Sequence, residues 1–587
     1  MCGIYAYAGP QNATTLIVQG LKRLEYRGYD SWGVAVIHKD SIKISKKVGP
    51  VGDLKKVQNL PYANIGIGHT RWATHGGVTQ FNAHPHCSTD KSFVVAQNGI
   101  VENYQQLKQV LLKKGYRFIT QTDTEIIVRL IEEKLKHFTS LKEATRQAFL
   151  ELKGRNTIVV LSQKNQQIIA IRYGSPLVAG LGKKELFLAS DALSFANQTN
   201  KVIFINDWEM VIYQKEELQL FDLKTNQKIK NKIATLDHQT IRISKQNFDS
   251  FYLKEIFEQT TTLKTAALYS YQELKPLIQA VRQAGRIFTL GAGTASYAAG
   301  QGAYWLRELS KIPAYDLKAY EINSWQNVFK KNDVLIACSQ SGETADTLEA
   351  IKLAKNKGVR IASIVNMIGS TLTRESDFPF FLRSGPEISV VSTKAFTAKL
   401  SWFLLLAYAL KNKIAQGKKI INKTAQEVSV FTTKNYQKRV RALAKKLVNN
   451  QHLFVLGQDA LYYISLEGAL KIKEVSYLHA EGFSSGELKH GVIALIEKRT
   501  PVIGLVSKNQ SNTLNALAEV KTRGAWIIGV SQENNELYQD WLPLPNLSIS
   551  TPIVSIIPLQ LLGYCLAREK DLNPDKPRNL AKSVTVK

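Results

Sequence analysis

Arg286-Ile-Phe-Thr-Leu-Gly291-Ala-Gly-Thr-Ala-Ser296 reads as an apolar run, a loop of small residues and the start of a helix. His452-Leu-Phe-Val-Leu-Gly457 repeats its first six positions, an offset of 452 − 286 = 166 residues. The same offset sets Thr347-Leu348 on Thr513-Leu514, Gly358 on Gly524 and Ile361 on Ile527. One register held this far without a gap marks a duplicated unit. Apolar runs alternate with helix-period stretches from about residue 280 onward, so each copy is expected to be α/β with a doubly wound parallel sheet. The expected spans are 277–420 and 443–580.

Upstream the rhythm differs. Short β-like runs crowd residues 2–235: Trp32–Ile37, Phe93–Ala96, Asn156–Leu161, Ile168–Arg172, Leu186–Ala189, Val202–Ile205 and Met210–Tyr213. Helical stretches at Thr14–Leu24 and Thr124–Leu135 interrupt them, which predicts an α+β domain. Residues 236–276 read as a linker and lead-in helix, and 581–587 as a short tail. Three domains suit 587 residues of 44% apolar composition, too many for one core and too apolar for a disordered chain.

The net charge, 77 − 48 = +29, invites a nucleic-acid reading. Its distribution argues against one. Residues 1–240 hold 32 − 20 = +12 and residues 241–587 hold 45 − 28 = +17, with no basic tail. The richest run, Lys434–Lys446, alternates basic with apolar residues at helical spacing and reads as a solvated helix face. Four scattered cysteines without CxxC spacing indicate neither a zinc site nor a disulfide framework. No signal peptide is recognised. Leu400–Leu410 is too short to span a bilayer, and the prolines of Trp541–Ala567 are expected to break it into strand, turn and helix. A cytoplasmic protein is expected, with no membrane and no nucleic-acid partner.

Cys2 gains meaning if Met1 is removed, because it then carries a thiol and a free α-amine. The amine, with an ordinary pKa of about 7.7–8.0, can relay the thiol's proton without a histidine. With it come Arg71-Trp-Ala-Thr-His-Gly76, Asn98-Gly99 and Thr122-Asp-Thr-Glu125. Asn98's amide and Gly99's N–H suit an oxyanion, Arg71 an α-carboxylate and Asp123 an α-ammonium. Met-Cys-Gly-Ile, Arg23–Asp30, His69–Gly76 and Gln97–Ile100 together resemble the N-terminal-nucleophile (class II) glutamine amidotransferases.

In the duplicated part, Ser339-Gln-Ser-Gly-Glu-Thr344 follows a second strand and precedes a second helix. Hydroxyls and an amide on such a loop, without a Walker lysine, suit a sugar phosphate better than a nucleoside triphosphate. Glu467, Lys471 and Glu474 fall at i, i+4 and i+7, on one helix face, and Gly486–Gly491 follows with His490. These motifs resemble the sugar-isomerase (SIS) domains.

Taken together, the chain resembles the glutamine–fructose-6-phosphate transaminase (isomerizing) family from residue 2 almost to its end. The resemblance implies an αββα N-terminal-nucleophile glutaminase followed by two doubly wound parallel-sheet SIS domains. It implies L-glutamine and fructose 6-phosphate as small-molecule substrates, with ammonia conducted internally to make glucosamine 6-phosphate for amino-sugar synthesis. It assigns Cys2 as nucleophile; Asn98 and Gly99 as oxyanion hole; Arg71, Thr74, His75 and Asp123 as glutamine holders; and Trp72 as channel gate. Thr294, Ser339, Gln340, Ser341 and Thr344 match sugar-phosphate binders. Glu474 matches the C1–C2 proton shuttle, Lys582 the Schiff-base lysine, and His490 the ring-opening histidine supplied by a neighbouring subunit, so a homodimer with shared sites is implied. Glu467 and Lys471 are further residues of the isomerase site, Lys471 being a nearby competitor of Lys582 for the amine chemistry, and no metal or organic cofactor is implied. Ala295 departs from the family's Ser and removes one phosphate-directed hydroxyl; Gln97 and Arg155-Asn156 depart without a consequence derivable from sequence. A phosphoribosyl-transferring amidotransferase would need a pyrophosphate loop in place of the repeat, and a non-catalytic sugar-phosphate sensor would not need Cys2, Glu474, His490 and Lys582 together.

Overall fold

The computed structural model describes residues 2–52, 60–236, 244–508 and 511–585. Residues 237–243 of the expected lead-in segment and 586–587 of the tail lie outside the described residues. The chain forms two compact units, one of residues up to 236 together with 581–585, the other of residues 244–580.

Among the described residues, the first unit has an eight-stranded and a seven-stranded sheet, both antiparallel. Gly3–Ala8 lies in the middle of the first, between Glu185–Ala189 and Ile65–Arg71. Alternation along Gly3–Ala8 explains the layering. Ile4, Ala6 and Ala8, with Ile67 of the neighbouring strand, face the second sheet, where Val94, Val159, Ala170 and Val211 complete the inner core. Tyr5 and Tyr7 face outward, under Ile17 and Leu21 of the helix Ala13–Leu24. The helices Thr124–Leu135 and Leu141–Leu150 cover the second sheet through Ile127, Ile131, Ala144 and Ala148. The result is helix–sheet–sheet–helix. Helix Thr124–Leu135 has the predicted bounds, and each predicted β run falls wholly or mostly within a strand.

Among the described residues, the second unit contains two five-stranded parallel sheets of the same order. One runs Ala314–Lys318, Ile287–Gly291, Val334–Ser339, Arg360–Val365, Phe378–Phe381. The other runs His479–Ser484, His452–Gly457, Pro501–Val506, Trp526–Ser531, Asp540–Pro543. Gly291 and Gly457, a pair in the repeat, play one role. A Cβ at Gly291 would lie 2.5 Å from the Ala295 backbone, and at Gly457 2.3 Å from Leu461 O, so each lets the next helical turn fold back over its strand. The helices Thr294–Ser310, Lys394–Leu410, Tyr462–Ser476 and Thr551–Glu569 share one core, and every residue of Lys394–Leu410 is buried.

Two details refine the sequence reading. Trp541–Ala567 divides as expected into strand (Asp540–Pro543), turn and helix (Thr551–Glu569), but only Pro543 and Pro545 lie at the break: Pro552 sits in the first turn of the helix, where its missing N–H costs nothing, and Pro558 lies inside it. Ser548–Glu569 is long and apolar enough to cross a bilayer, yet it is mostly buried within this unit. Lys434–Leu447 is the expected amphipathic helix, its outer face paired through Arg441–Glu569 and Lys446–Asp540.

Candidate active site

Cys2 stands at the head of a central strand, and pairing Gly3 with Thr70 brings it against the end of Ile65–Arg71. Its Sγ accepts the Trp72 N–H at 3.3 Å and lies 3.6 Å from Trp72 O, while Arg27 Nε donates to Cys2 O at 3.2 Å. Burial pushes the thiol's pKa up; the Trp72 N–H and the Arg71 guanidinium act against burial by favouring thiolate. Deprotonation therefore needs a base close by.

Asn98 and Gly99 end the strand Phe93–Gly99. One Asn98 amide hydrogen goes to Ser190 Oγ at 2.8 Å, and the same Oγ accepts Ile4 N–H at 2.8 Å. Ser190 thus ties the Asn98 side chain to the strand that carries Cys2, and nothing in its sequence context marks it. His69 Nε2 lies 2.8 Å from Gln97 O and 3.2 Å from Asn98 Oδ1, two acceptors that fix the proton on Nε2 and the orientation of the Asn98 amide. Behind it the rings of His69 and His84 stack at 4.2 Å, and those of His84 and His86 meet at 4.8 Å. Burial lowers all three pKa values, that of His69 to about 3, so the stack is neutral at pH 7. His84 and His86 hydrogen-bond Thr124 and Thr122 at 3.0 and 2.9 Å, which fixes the two neighbours of Asp123.

The expected glutamine holders are placed unequally. Arg71 spends both terminal nitrogens on the loop that follows it, reaching the carbonyls of His75, Gly76 and Gly77. It shapes that loop as well as offering charge. His75 Nδ1 is buried without a hydrogen-bond partner among the described residues, and its ring edge meets Tyr104 at 4.9 Å. Thr74 is exposed. Asp123 is buried and accepts Val101 N–H at 2.8 Å; burial raises its carboxyl, opposed by that bond and by His75. Trp72 packs edge-on to Tyr29 at 5.7 Å.

In the second unit, Thr294 opens its helix after Gly293, whose φ of +54° makes the turn. Lys471 from Tyr462–Ser476 reaches Thr294 Oγ1 at 2.9 Å, Glu474 at 2.7 Å and Glu467 at 3.4 Å. The helical spacing predicted from sequence therefore faces inward. Burial alone would lower the Lys471 ammonium's pKa, but the two carboxylates outweigh it and hold the lysine charged. Burial raises the Glu467 carboxyl to about 7, against the pull of Lys471.

The loop after Val334–Ser339 is built from its own hydroxyls. Ser339 Oγ accepts Gly342 N–H at 2.9 Å, and Ser341 Oγ accepts Glu343 N–H at 3.1 Å. Gly342 has φ +67°, and Glu343 takes the Thr371 N–H and hydroxyl at 2.7 and 2.8 Å. Ser339 is buried and holds the loop's shape, while Gln340, Ser341 and Thr344 are half-buried. The Glu343 clamp was not read from sequence. His490 ends a single 3-10 turn on the exposed surface. Lys582 lies in the C-terminal segment that folds with the first unit, where Thr585 Oγ1 is 3.4 Å from Ser175 Oγ.

Comparison with known proteins assigns these parts. A glutamine amidotransferase domain model matches residues 69–197, and the SIS domain model matches residues 280–409 and 446–564. The glutamine–fructose-6-phosphate aminotransferase [isomerizing] of Pyrococcus horikoshii is 41% identical over 598 residues, covering all of both chains. Proteins of that name from Thermus thermophilus and Clostridium tetani are 39% and 38% identical, again over both full lengths. The solved C-terminal domain of glucosamine-fructose-6-phosphate aminotransferase from Francisella tularensis superposes with TM-score 0.53 at 32% identity, covering 57% of this chain and 100% of that one. With both domain types in this order and full-length relatives at this identity, the chain belongs to the glutamine–fructose-6-phosphate aminotransferase (isomerizing) family.

Proposed function

We propose that this chain converts D-fructose 6-phosphate and L-glutamine to D-glucosamine 6-phosphate and L-glutamate. The observation that carries the reading is the pairing, in one polypeptide, of a half-buried thiol at position 2 seated on the Trp72 amide with a Lys471–Glu467–Glu474 cluster at the head of a phosphate-type helix. Cys2 Sγ attacks the side-chain amide carbon of glutamine as the α-amine takes the thiol proton. Asn98 Nδ2 and the Gly99 N–H hold the oxyanion. Ammonia leaves, and water resolves the glutamyl thioester to glutamate. Arg71, Thr74, His75 and Asp123 hold the substrate's α-carboxylate and α-ammonium.

Ammonia travels internally past Trp72 to the sugar. Thr294, Ser339, Gln340, Ser341 and Thr344 hold fructose 6-phosphate, His490 of a neighbouring subunit opens its ring, and Lys582 forms the Schiff base. Ammonia replaces that lysine on C2, and Glu474 carries a proton between C1 and C2, assisted by Glu467 and Lys471. Ammonia enters and water leaves, so the two half-reactions sum to the stated products. The units act as a glutaminase (2–235), a lead-in (236–276), two SIS domains (277–420 and 443–580) and a catalytic tail (581–587), in a cytoplasmic homodimer.

Cys2→Ala tests this directly. Glutamine-dependent synthesis is expected to disappear while isomerisation of fructose 6-phosphate persists; loss of both activities would contradict two separable sites.

A further inference from the structure

Lys318 ends the strand Ala314–Lys318, and its register partner is Gly291, so it stands at the carboxyl end of the sheet beside the loop that opens Thr294–Ser310. Ligands of open α/β sheets bind at that end. Its Nζ lies 3.4 Å from Ser296 Oγ, over the rings of Tyr297 and Tyr463 at 5.4 and 5.9 Å, and its side chain is 29% exposed, open to a ligand. Asp316 is 3.8 Å away, at the edge of ion-pair range, and already accepts the Tyr463 hydroxyl at 2.8 Å.

The placement is electrostatically odd. Two lysines from different elements touch hydroxyls of one helical first turn, Lys471 at Thr294 and Lys318 at Ser296. A helix N-terminus carries partial positive charge and repels cations. Lys471 has two carboxylates to offset this, whereas Lys318 shares one with a tyrosine. In keeping with that, burial lowers the Lys318 ammonium's pKa and Asp316 only partly restores it. A dianion at the turn removes the conflict for both lysines and for the helix. Between Thr294 and Ser296 stands Ala295, where the family pattern has a hydroxyl.

We infer that Lys318 is a further sugar-phosphate-binding residue, whose ammonium holds the phosphate at the first turn of Thr294–Ser310 in place of the hydroxyl missing at Ala295. The inference rests on the proposed function and deepens it, since it makes phosphate affinity in this chain depend on a lysine outside the Ser339–Thr344 loop. A lysine present only to neutralise Asp316 would affect folding, and its loss would not change the response to phosphate.

The test uses the full chain with Lys318→Met, Lys318→Arg, Ala295→Ser/Lys318→Met and Ser341→Ala. Lys318→Met is expected to raise the KM for fructose 6-phosphate and the Ki of inorganic phosphate together, about tenfold (about 1.4 kcal/mol), with kcat within twofold. Lys318→Arg should stay near wild type, and adding Ala295→Ser should recover part of the loss. Unchanged KM and Ki, or a fall in kcat and melting temperature without a change in KM, would overturn the inference. Ser341→Ala separates the two levels. If it raises KM while Lys318→Met does not, the Lys318 assignment alone fails; if neither raises KM, the loop does not hold the sugar phosphate and the underlying reading fails.

Discussion

Glu467→Gln keeps the shape of the protonated acid and removes only its ionisation. Glu467 is fully buried, and burial raises its carboxyl from an ordinary 4.5 to about 7, with Lys471 opposing and Glu474 adding to the rise. The sign follows from which state holds the proton. Below pH 4.5 both folded and unfolded chains bind it; between 4.5 and 7 the folded chain keeps it while the unfolded chain releases it. This group's stabilisation is therefore complete at low pH, is lost as pH rises towards 7, and is constant beyond. At about 1.4 kcal/mol per pH unit over about 2.5 units, the loss is about 3.5 kcal/mol, of which about 2.8 kcal/mol falls between pH 5 and pH 7. The glutamine does not titrate, so wild type should lose this amount relative to the variant as pH rises. The assay is the denaturation midpoint of both proteins from pH 5 to pH 8. The constant offset between the curves reports the exchange of a protonated carboxyl for an amide beside Lys471, and only the change of that offset with pH reports the ionisation of Glu467. A difference that widens in favour of the variant up to pH 7 and then levels is expected. Parallel curves would refute the titration of Glu467 in this range.

Other perturbations test the remaining geometry. Gly99 has φ +135°, and a Cβ there would lie 2.1 Å from Arg155 O, so Gly99→Ala must part Phe93–Gly99 from Asn156–Ser162 and displace the Gly99 N–H proposed to hold the oxyanion. Glutaminase kcat should fall at least 100-fold, about 2.7 kcal/mol, with sugar isomerisation within twofold; glutaminase activity within threefold of wild type would contradict the assignment. Sedimentation should find a homodimer at assay concentration, and mixing His490→Ala with Lys582→Ala subunits should restore part of the activity each lacks, whereas a fully active monomer would contradict shared sites.

The sequence was most legible where local pattern and packing agree. Asn156–Ser162 is buried throughout and reads as an unbroken apolar run. Ile65–Arg71 is equally buried but does not read as a strand, because Gly66 and Gly68 take positions a strand-former would hold. The reason is tertiary: a Cβ at Gly68 would lie 2.4 Å from Ile17, so the helix Ala13–Leu24 packs down only on glycine. Ala314–Lys318 and His479–Ser484 also escape notice, being polar outer strands of their sheets. At the sites, Cys2, Asn98 and the Glu467–Lys471–Glu474 face are legible because chemistry fixes residue type and spacing. Ser190, Glu343 and Lys318 are not, since each acts through contacts made by folding distant segments together. Ser339 shows the reverse: its motif is clear, yet its hydroxyl is turned inward to hold Gly342.

The central claim is that one chain joins glutamine hydrolysis to sugar amination. The most direct measurement is incubation of the purified full-length protein with glutamine and fructose 6-phosphate, quantifying glutamate and glucosamine 6-phosphate over time. The two products are expected to appear together in equal amounts, and neither amino sugar nor excess glutamate should form when Cys2 is replaced by Ala. Glutamate released with no glucosamine 6-phosphate would contradict the account.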